Sequence, residues 1–160
     1  MTKSNIQDEA TKEQIKLFCD RVFWLNQLHY IYTELFENKN ALSIMEKIAH
    51  RFFYDINNIL VDYFLLEVAK LTDPAYSQQG KCENFTTNNL LETIDWPQDC
   101  LKELESLNKD VMSFRKYIKH PRNKIFTHLD KKTLVSNSKL GEFPEGKEKE
   151  CLQALEKMCN

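Results

Sequence analysis

The chain has 160 residues, of which 42% are hydrophobic and 11% aromatic, a composition that argues against a disordered protein. With only three glycines and four prolines, it favours long helices over turn-rich sheets, and its length fits one domain over residues 1–160. The formal net charge is −2, there is no uncharged apolar run of 18 residues, and the N-terminus lacks a signal-peptide core, so we expect a cytoplasmic protein without membrane contacts.

Two long antiparallel helices are predicted in the N-terminal half of the chain. Apolar residues recur at intervals of three and four over residues 7–37, and Asn38 and Asn40 then break the pattern. The second helix is predicted over residues 41–71. Its apolar residues form two stripes, which predicts burial on more than one side: Ile48, Phe52, Ile56, Ile59, Tyr63 and Leu66 in the first, and Phe53, Leu60, Phe64 and Val68 in the second.

The segment Thr72-Asp73-Pro74 ends the second helix, because a proline cannot continue it. Asp73 is expected to cap a local turn, with pairing to a basic residue of the segment 121–130 as the alternative. After a long loop over residues 75–85, Thr86 or Thr87 is the predicted N-cap of a short helix that ends at residue 93.

A third long helix is predicted over residues 97–120, with Pro97 at its start. It is expected to stop before Pro121, which begins a new short helical segment whose free backbone N–H groups favour anions. Residues 131–147 hold two of the three glycines and indicate an exposed connection. A last amphipathic helix is predicted over residues 147–159.

Neither the cysteines nor the histidines show the spacing of a metal site. The five cysteines include no CxxC pair and the four histidines no HxxxH or HExxH pair, so we expect reduced structural thiols, no metal and no cofactor. His29 falls on the apolar stripe of the first helix, which favours a core histidine over a ligand.

The strongest local signal is a reversal of charge near residue 120. Seven of the 18 residues 115–132 are Lys or Arg and one is acidic, so this basic window carries +6 in a chain of −2. Such a window is typical of an anion site. A solvated basic helix start is the plainer interpretation of the same residues.

Within the basic window, the segment PRNKIFTHLD (residues 121–130) has residue types suited to RNA cleavage without a metal. The fork of Arg122 fits two phosphate oxygens, His128 can exchange protons near neutral pH, and Asn123 can orient a ligand or the imidazole. Six positions separate Arg122 from His128, which is about 120° around a regular helix. An irregular backbone, a long reach by the arginine, or a second copy of the segment would each bring them together.

The same residues carry a family resemblance. RNKIFTHLD resembles the signature of the HEPN superfamily, and the stretch from Leu65 that contains Leu-Thr-Asp-Pro resembles the abortive-infection, AbiU-like branch. Together the two motifs span residues 65–130. The resemblance implies an all-α antiparallel bundle with two long N-terminal helices, a third long helix and short helices around the Arg-Asn…His motif.

The resemblance further implies a homodimeric, metal-independent endoribonuclease of a phage-defence or toxin–antitoxin system, and leaves open a cognate antitoxin as partner. In this interpretation His128 is the general acid/base, Arg122 stabilises the transition state and Asn123 orients His128 or the scissile phosphate. Lys119 and Lys124 are expected to bind the RNA backbone, and Asp130 to support the site. The alternative is a non-catalytic HEPN module that binds a nucleotide or a protein partner.

Overall fold

The structure is a computed structural model that describes residues 3–121 and 143–160. Its long helices and short elements follow in chain order: α1 Lys3–Tyr32, a π-helical turn Thr33–Glu37, α2 Lys39–Leu71, β1 Tyr76–Ser77, a 3₁₀ turn Gln78–Gly80, β2 Cys82–Glu83, α3 Thr87–Thr93, α4 Gln98–Pro121 and α5 Lys147–Lys157. The predicted all-α fold is confirmed.

The first two helices form the predicted antiparallel pair. Arg21 of α1 meets Glu67 of α2, whereas His29, further along α1, meets the earlier residue Phe64, so the two helices run in opposite directions. The turn between them is fixed by Asn38, whose side-chain oxygen accepts hydrogen bonds from the first backbone N–H groups of α2. Within α2, Ala49 has non-helical backbone angles (φ −158°, ψ 62°), so the helix is interrupted there.

All five helices, α1 through α5, contribute residues to one hydrophobic core. Residues with no or almost no exposure come from four of these helices, including Leu25, Val68, Val111 and Leu155, and Leu90 of α3 packs on the same cluster. Burial in this core raises the pKa of the Cys151 thiol to about 12, which keeps it protonated at neutral pH. All five cysteines are free thiols.

The expectation that both apolar stripes of α2 are buried is wrong. Phe64 and Val68 of the second stripe are buried, but Ile48, Phe52 and Ile59 of the first stripe are 74%, 58% and 60% exposed. Helical spacing shows that residues share a face, and it does not show whether another element packs on that face. Among the residues that the structure describes, α1 and α4 pack on the side of α2 that carries Phe64 and Val68.

Smaller differences concern the loop after α2 and the helix ends. The predicted loop over residues 75–85 contains a two-stranded antiparallel hairpin in which Tyr76 pairs with Glu83 and Ser77 with Cys82. Two-residue strands are too short for an alternating pattern to reveal them. Helix α4 runs through His120 to Pro121, one residue beyond its predicted end. In the described ranges, no helix combines the length and the apolar character needed to cross a bilayer.

Candidate functional site

Helix α4 leads directly to the predicted site. It ends at Pro121, one residue before Arg122, and Lys119 lies exposed in its last turns. The other predicted site residues lie outside the described residues: Arg122, Asn123, Lys124, His128 and Asp130. Their roles therefore stay predictions. The described part of the candidate site consists of the contacts that hold α4 in place.

The turn after α2 is tied to α4 by an ion pair. Arg115 Nη2 donates to Asp73 Oδ1 at 3.3 Å, and both side chains are largely buried, with 21% and 17% exposure. Pairing of Asp73 with the segment 121–130, the alternative to local capping, lies outside the described residues, and Arg115 precedes that segment by six residues. The pair does join the Leu-Thr-Asp-Pro motif to the basic window.

Two asparagines extend this contact into a polar network. Asn88 of α3 donates from Nδ2 to the backbone carbonyl of Asp73 at 3.2 Å, and Asn108 of α4 donates from Nδ2 to Asn88 Oδ1 at 3.0 Å. Asn108 is only 9% exposed. Because buried polar groups are costly unless they are paired, this network fixes α3, α4 and the turn relative to one another.

Local hydrogen bonds explain why the turn has a defined shape. The buried Thr72 hydroxyl donates to the Val68 carbonyl at 2.9 Å at the end of α2. Asn84 Nδ2 donates to the Pro74 carbonyl at 2.8 Å, which holds the hairpin against the turn. Thr86 Oγ1 accepts from Asn89 N at 3.1 Å, so the predicted N-cap of α3 is confirmed.

One face of α4 carries both the network and the predicted substrate-binding lysine. Asn108, Met112, Arg115 and Lys119 are spaced by four, three and four residues, so they lie on the same side of the helix. Arg115 is held by Asp73, whereas Lys116 and Lys119 are exposed. In the described part of the basic window, the charge free to meet a polyanion is therefore that of these two lysines.

Sequence reasoning missed Asn88 and Asn108. Asn108 falls between Leu104 and Val111 on the apolar spacing of α4, and a polar residue on such a stripe signals a buried hydrogen bond. Nothing in the sequence around Asn88 indicates that its partner would be the Asp73 carbonyl, 15 residues away.

In the described part of the chain, the Asp73–Arg115 pair can position α4, and the exposed Lys116 and Lys119 can attract an anion. Across residues 3–121 and 143–160, no group of three or more His, Cys, Asp or Glu side chains is placed to hold a metal ion. Arg122 and His128, which carry the expected chemistry, follow the last residue of α4 by one and seven positions in the sequence.

The fold and the motifs at the end of α4 define an all-α protein of the HEPN superfamily. A model of the AbiU2 family of HEPN proteins matches residues 8–160, nearly the entire chain, and the protein belongs to this family. The predicted resemblance to the AbiU-like branch is thereby confirmed. No curated protein and no solved structure matches the chain.

Proposed function

We propose that this protein is a metal-independent endoribonuclease of a phage-defence or toxin–antitoxin system. The family match includes both the Leu-Thr-Asp-Pro turn and the segment 121–130, and the abortive-infection character of the family supports a defence role. The Arg122, Asn123 and His128 side chains supply the chemistry that such a reaction needs.

The observation that carries the proposal is the contact between Asp73 and Arg115 at 3.3 Å. The two motifs of the family resemblance lie about 50 residues apart in the sequence, yet this ion pair brings the first against the helix that leads into the second. A charged contact with little exposure is sensitive to geometry, because displacing one partner leaves the other charge poorly solvated. The turn is therefore suited to fixing the direction from which residues 121–130 start.

Charge on α4 supports RNA as the substrate. Lys116 and Lys119 are exposed at the end of the helix, and the sequence continues with Arg122 and Lys124. The electrostatic term dominates the affinity of proteins for nucleic acid, so a local excess of basic residues in an otherwise acidic chain would direct RNA to this end of α4.

The proposed reaction is transesterification within the RNA strand. His128 accepts the proton of a ribose 2′-hydroxyl as its oxygen attacks the adjacent phosphorus, and the bond from phosphorus to the 5′-oxygen breaks. The protonated His128 then returns a proton to the leaving 5′-oxygen, and the fork of Arg122 stabilises the charge on the phosphate oxygens. The products are a 2′,3′-cyclic phosphate and a 5′-hydroxyl, with no water consumed.

The test is cleavage of single-stranded RNA by the wild-type protein and by the variants His128→Ala, His128→Gln and Arg122→Lys. A positioned general acid/base contributes ~10²–10⁴-fold, so both His128 variants should lose cleavage by about that factor. Arg122→Lys keeps the charge but loses the two-pronged contact, and it should also be severely impaired. EDTA should have no effect, and DNA of the same sequence should survive because it lacks the 2′-hydroxyl.

His50→Ala is the matched control, because His50 is an exposed histidine on α2. It should leave cleavage unchanged. Full activity of His128→Ala, or a requirement for a divalent metal, would exclude this mechanism. RNA or nucleotide binding without cleavage, unchanged in His128→Gln, would instead identify a non-catalytic binding module.

A further inference from the structure

A cavity of about 240 Å³ lies between α1, α2 and the start of α5, apart from the network around Asp73. Most of its wall is apolar and comes from Leu28, Leu60, Val61 and Phe64, and Phe143 contributes to it from the segment before α5. A benzene molecule fits an apolar cavity of roughly 150 Å³. This cavity therefore has room for an aromatic ring with a short chain attached.

Three glutamates also line the cavity, whereas none of its lining residues is a lysine or arginine in the described part of the chain. Glu37 comes from the π-helical turn, Glu145 from the segment before α5, and Glu148 from the first turn of α5. Three carboxylates around an apolar space give it a negative potential, which is strengthened because the apolar wall screens charge poorly.

Two further polar side chains, His29 and Tyr32, face the same space. Burial lowers the pKa of His29, the carboxylates of Glu148 and Glu37 oppose that effect, and the nearby Lys149 ammonium adds to it. Burial raises the pKa of Tyr32, and here the same two carboxylates act in the same direction. Glu37 and Glu148 thus both act electrostatically on these two rings, although they come from different elements.

Glu148 provides the second observation that indicates a ligand. Its Oε2 atom is buried and accepts no hydrogen bond within the described structure. A carboxylate oxygen removed from water is costly unless a donor compensates it. His29 does not supply that donor: its ring packs against Phe64, with the ring centroids 5.9 Å apart.

We propose that this cavity binds a small organic ammonium ion with an apolar body. The apolar part would fill the space between α1 and α2, and the ammonium group would donate to Glu148 Oε2, with Glu37 and Glu145 adding long-range attraction. An inorganic cation would leave the apolar wall unfilled, and a neutral molecule would leave the Glu148 oxygen without a strong donor.

This site is separate from the proposed ribonuclease activity. It uses none of the residues assigned to RNA cleavage, so either proposal can fail without the other. The cavity is linked to α4 through Phe143, which lines the cavity and also contacts Phe114 of α4, with ring centroids 4.9 Å apart.

The experiment compares two probes of nearly the same shape, 2-phenylethylamine and 2-phenylethanol, titrated into the full-length protein. Binding is followed by the shifts of backbone amide signals in a ¹⁵N-labelled sample, which also report where the probe binds. The amine should bind with millimolar or better affinity, at least about tenfold more tightly than the alcohol, because a charge-assisted hydrogen bond outweighs a neutral one. The shifts should cluster on α1, α2 and the start of α5.

Two variants test the carboxylate of Glu148 and the volume of the cavity separately. Glu148→Gln should remove most of the preference for the amine while leaving the affinity for the alcohol unchanged. Glu156→Gln, an exposed glutamate on α5, is the matched control and should leave both affinities as they are. Leu60→Trp should fill the cavity and weaken both probes, with an unchanged circular dichroism spectrum to show that the fold is retained.

Three results would overturn the proposal. They are equal affinity for the amine and the alcohol, an amine preference that survives Glu148→Gln, and no binding of either probe at millimolar concentration.

Discussion

Arg115 Nη2 lies 3.3 Å from Asp73 Oδ1, and this contact joins residues that are 42 positions apart in the sequence. Asp73 follows α2 directly, whereas Arg115 lies two turns before the end of α4. Asn88 holds the backbone carbonyl of the same aspartate, so the turn is bound through both its side chain and its main chain. The direction in which α4 delivers the chain to Arg122 depends on this turn.

The first prediction concerns the strength of that ion pair. In a double-mutant cycle with Asp73→Asn and Arg115→Met, we expect a coupling of about 1 kcal/mol in the free energy of unfolding, because the partners are mostly shielded from water. Urea denaturation of the four proteins measures it. The cycle subtracts the other interactions of Asp73, which each single variant would include.

The exposed ion pair Arg51–Asp55 on α2 is the control for this cycle. Its side chains are 83% and 48% exposed, although its 3.1 Å distance is shorter than that of the buried pair. Its coupling should stay within about 0.5 kcal/mol, since exposed pairs are screened by water. If the two couplings were equal, the Asp73–Arg115 contact would be no more than a surface pair.

The second prediction concerns salt. If the basic window binds the backbone of single-stranded RNA, the logarithm of the association constant should fall by ~0.7 per phosphate contact for each tenfold increase in salt concentration. Lys119→Glu and Lys124→Glu should each reduce that slope by about one contact per chain. Lys102→Glu makes the same charge change at an exposed position on α4, about 25 Å from Lys119, and should barely change the slope. A slope that is insensitive to Lys119 and Lys124 would place RNA elsewhere on the protein.

The sequence predicts the helices well because their signals are local. Thr86 caps α3 as predicted, Asn38 ends the first helical pattern and also caps α2, and Pro74 follows the end of α2 because it cannot continue a helix. Each of these signals depends on residues within one turn of the element that they define.

What the sequence could not reveal depends on residues far apart in the chain. The Ile59 side chain has the spacing of a core residue, yet it is 60% exposed because no described element packs over it. Asp73 has local capping as its simplest interpretation, yet its carboxylate meets Arg115 from another helix. For the candidate site, the Lys119 side chain is exposed near the end of α4, and its role, like those of Arg122 and His128, stays a prediction.

The third prediction concerns the response of stability to acid. Burial lowers the pKa of His29 below its ordinary value of 6.5, and Glu148 and Glu37 only partly oppose this. The unfolded chain therefore binds a proton at this residue at a higher pH than the folded chain does. Above pH 6.5 His29 is neutral in both states, and its contribution to the free energy of unfolding is fully present. As the pH falls below 6.5, the unfolded chain takes up a proton first, so this contribution is lost.

Urea denaturation at about pH 7.5 and about pH 5.5 tests this prediction. The loss of unfolding free energy between the two values should be smaller in His29→Gln than in the wild type, because glutamine does not titrate. His50→Gln removes an exposed histidine and should leave the loss unchanged. An equal loss in His29→Gln and the wild type would mean that His29 does not contribute.

The last prediction concerns which chains form one ribonuclease site. Arg122 and His128 are about 120° out of phase on a regular helix, so a two-fold axis is one way to bring the arginine of one chain to the histidine of its partner. In that arrangement, Arg122→Ala and His128→Ala are each inactive alone but complement each other when mixed. After subunit exchange, about half of the dimers are hybrids with one intact site of two, so the mixture should recover about a quarter of wild-type cleavage. Light scattering should show a dimer, and differently tagged chains should co-purify to prove that exchange took place. Co-purified hybrids without any recovered cleavage would mean that each chain completes its own site, and a monomer in solution would exclude the shared site altogether.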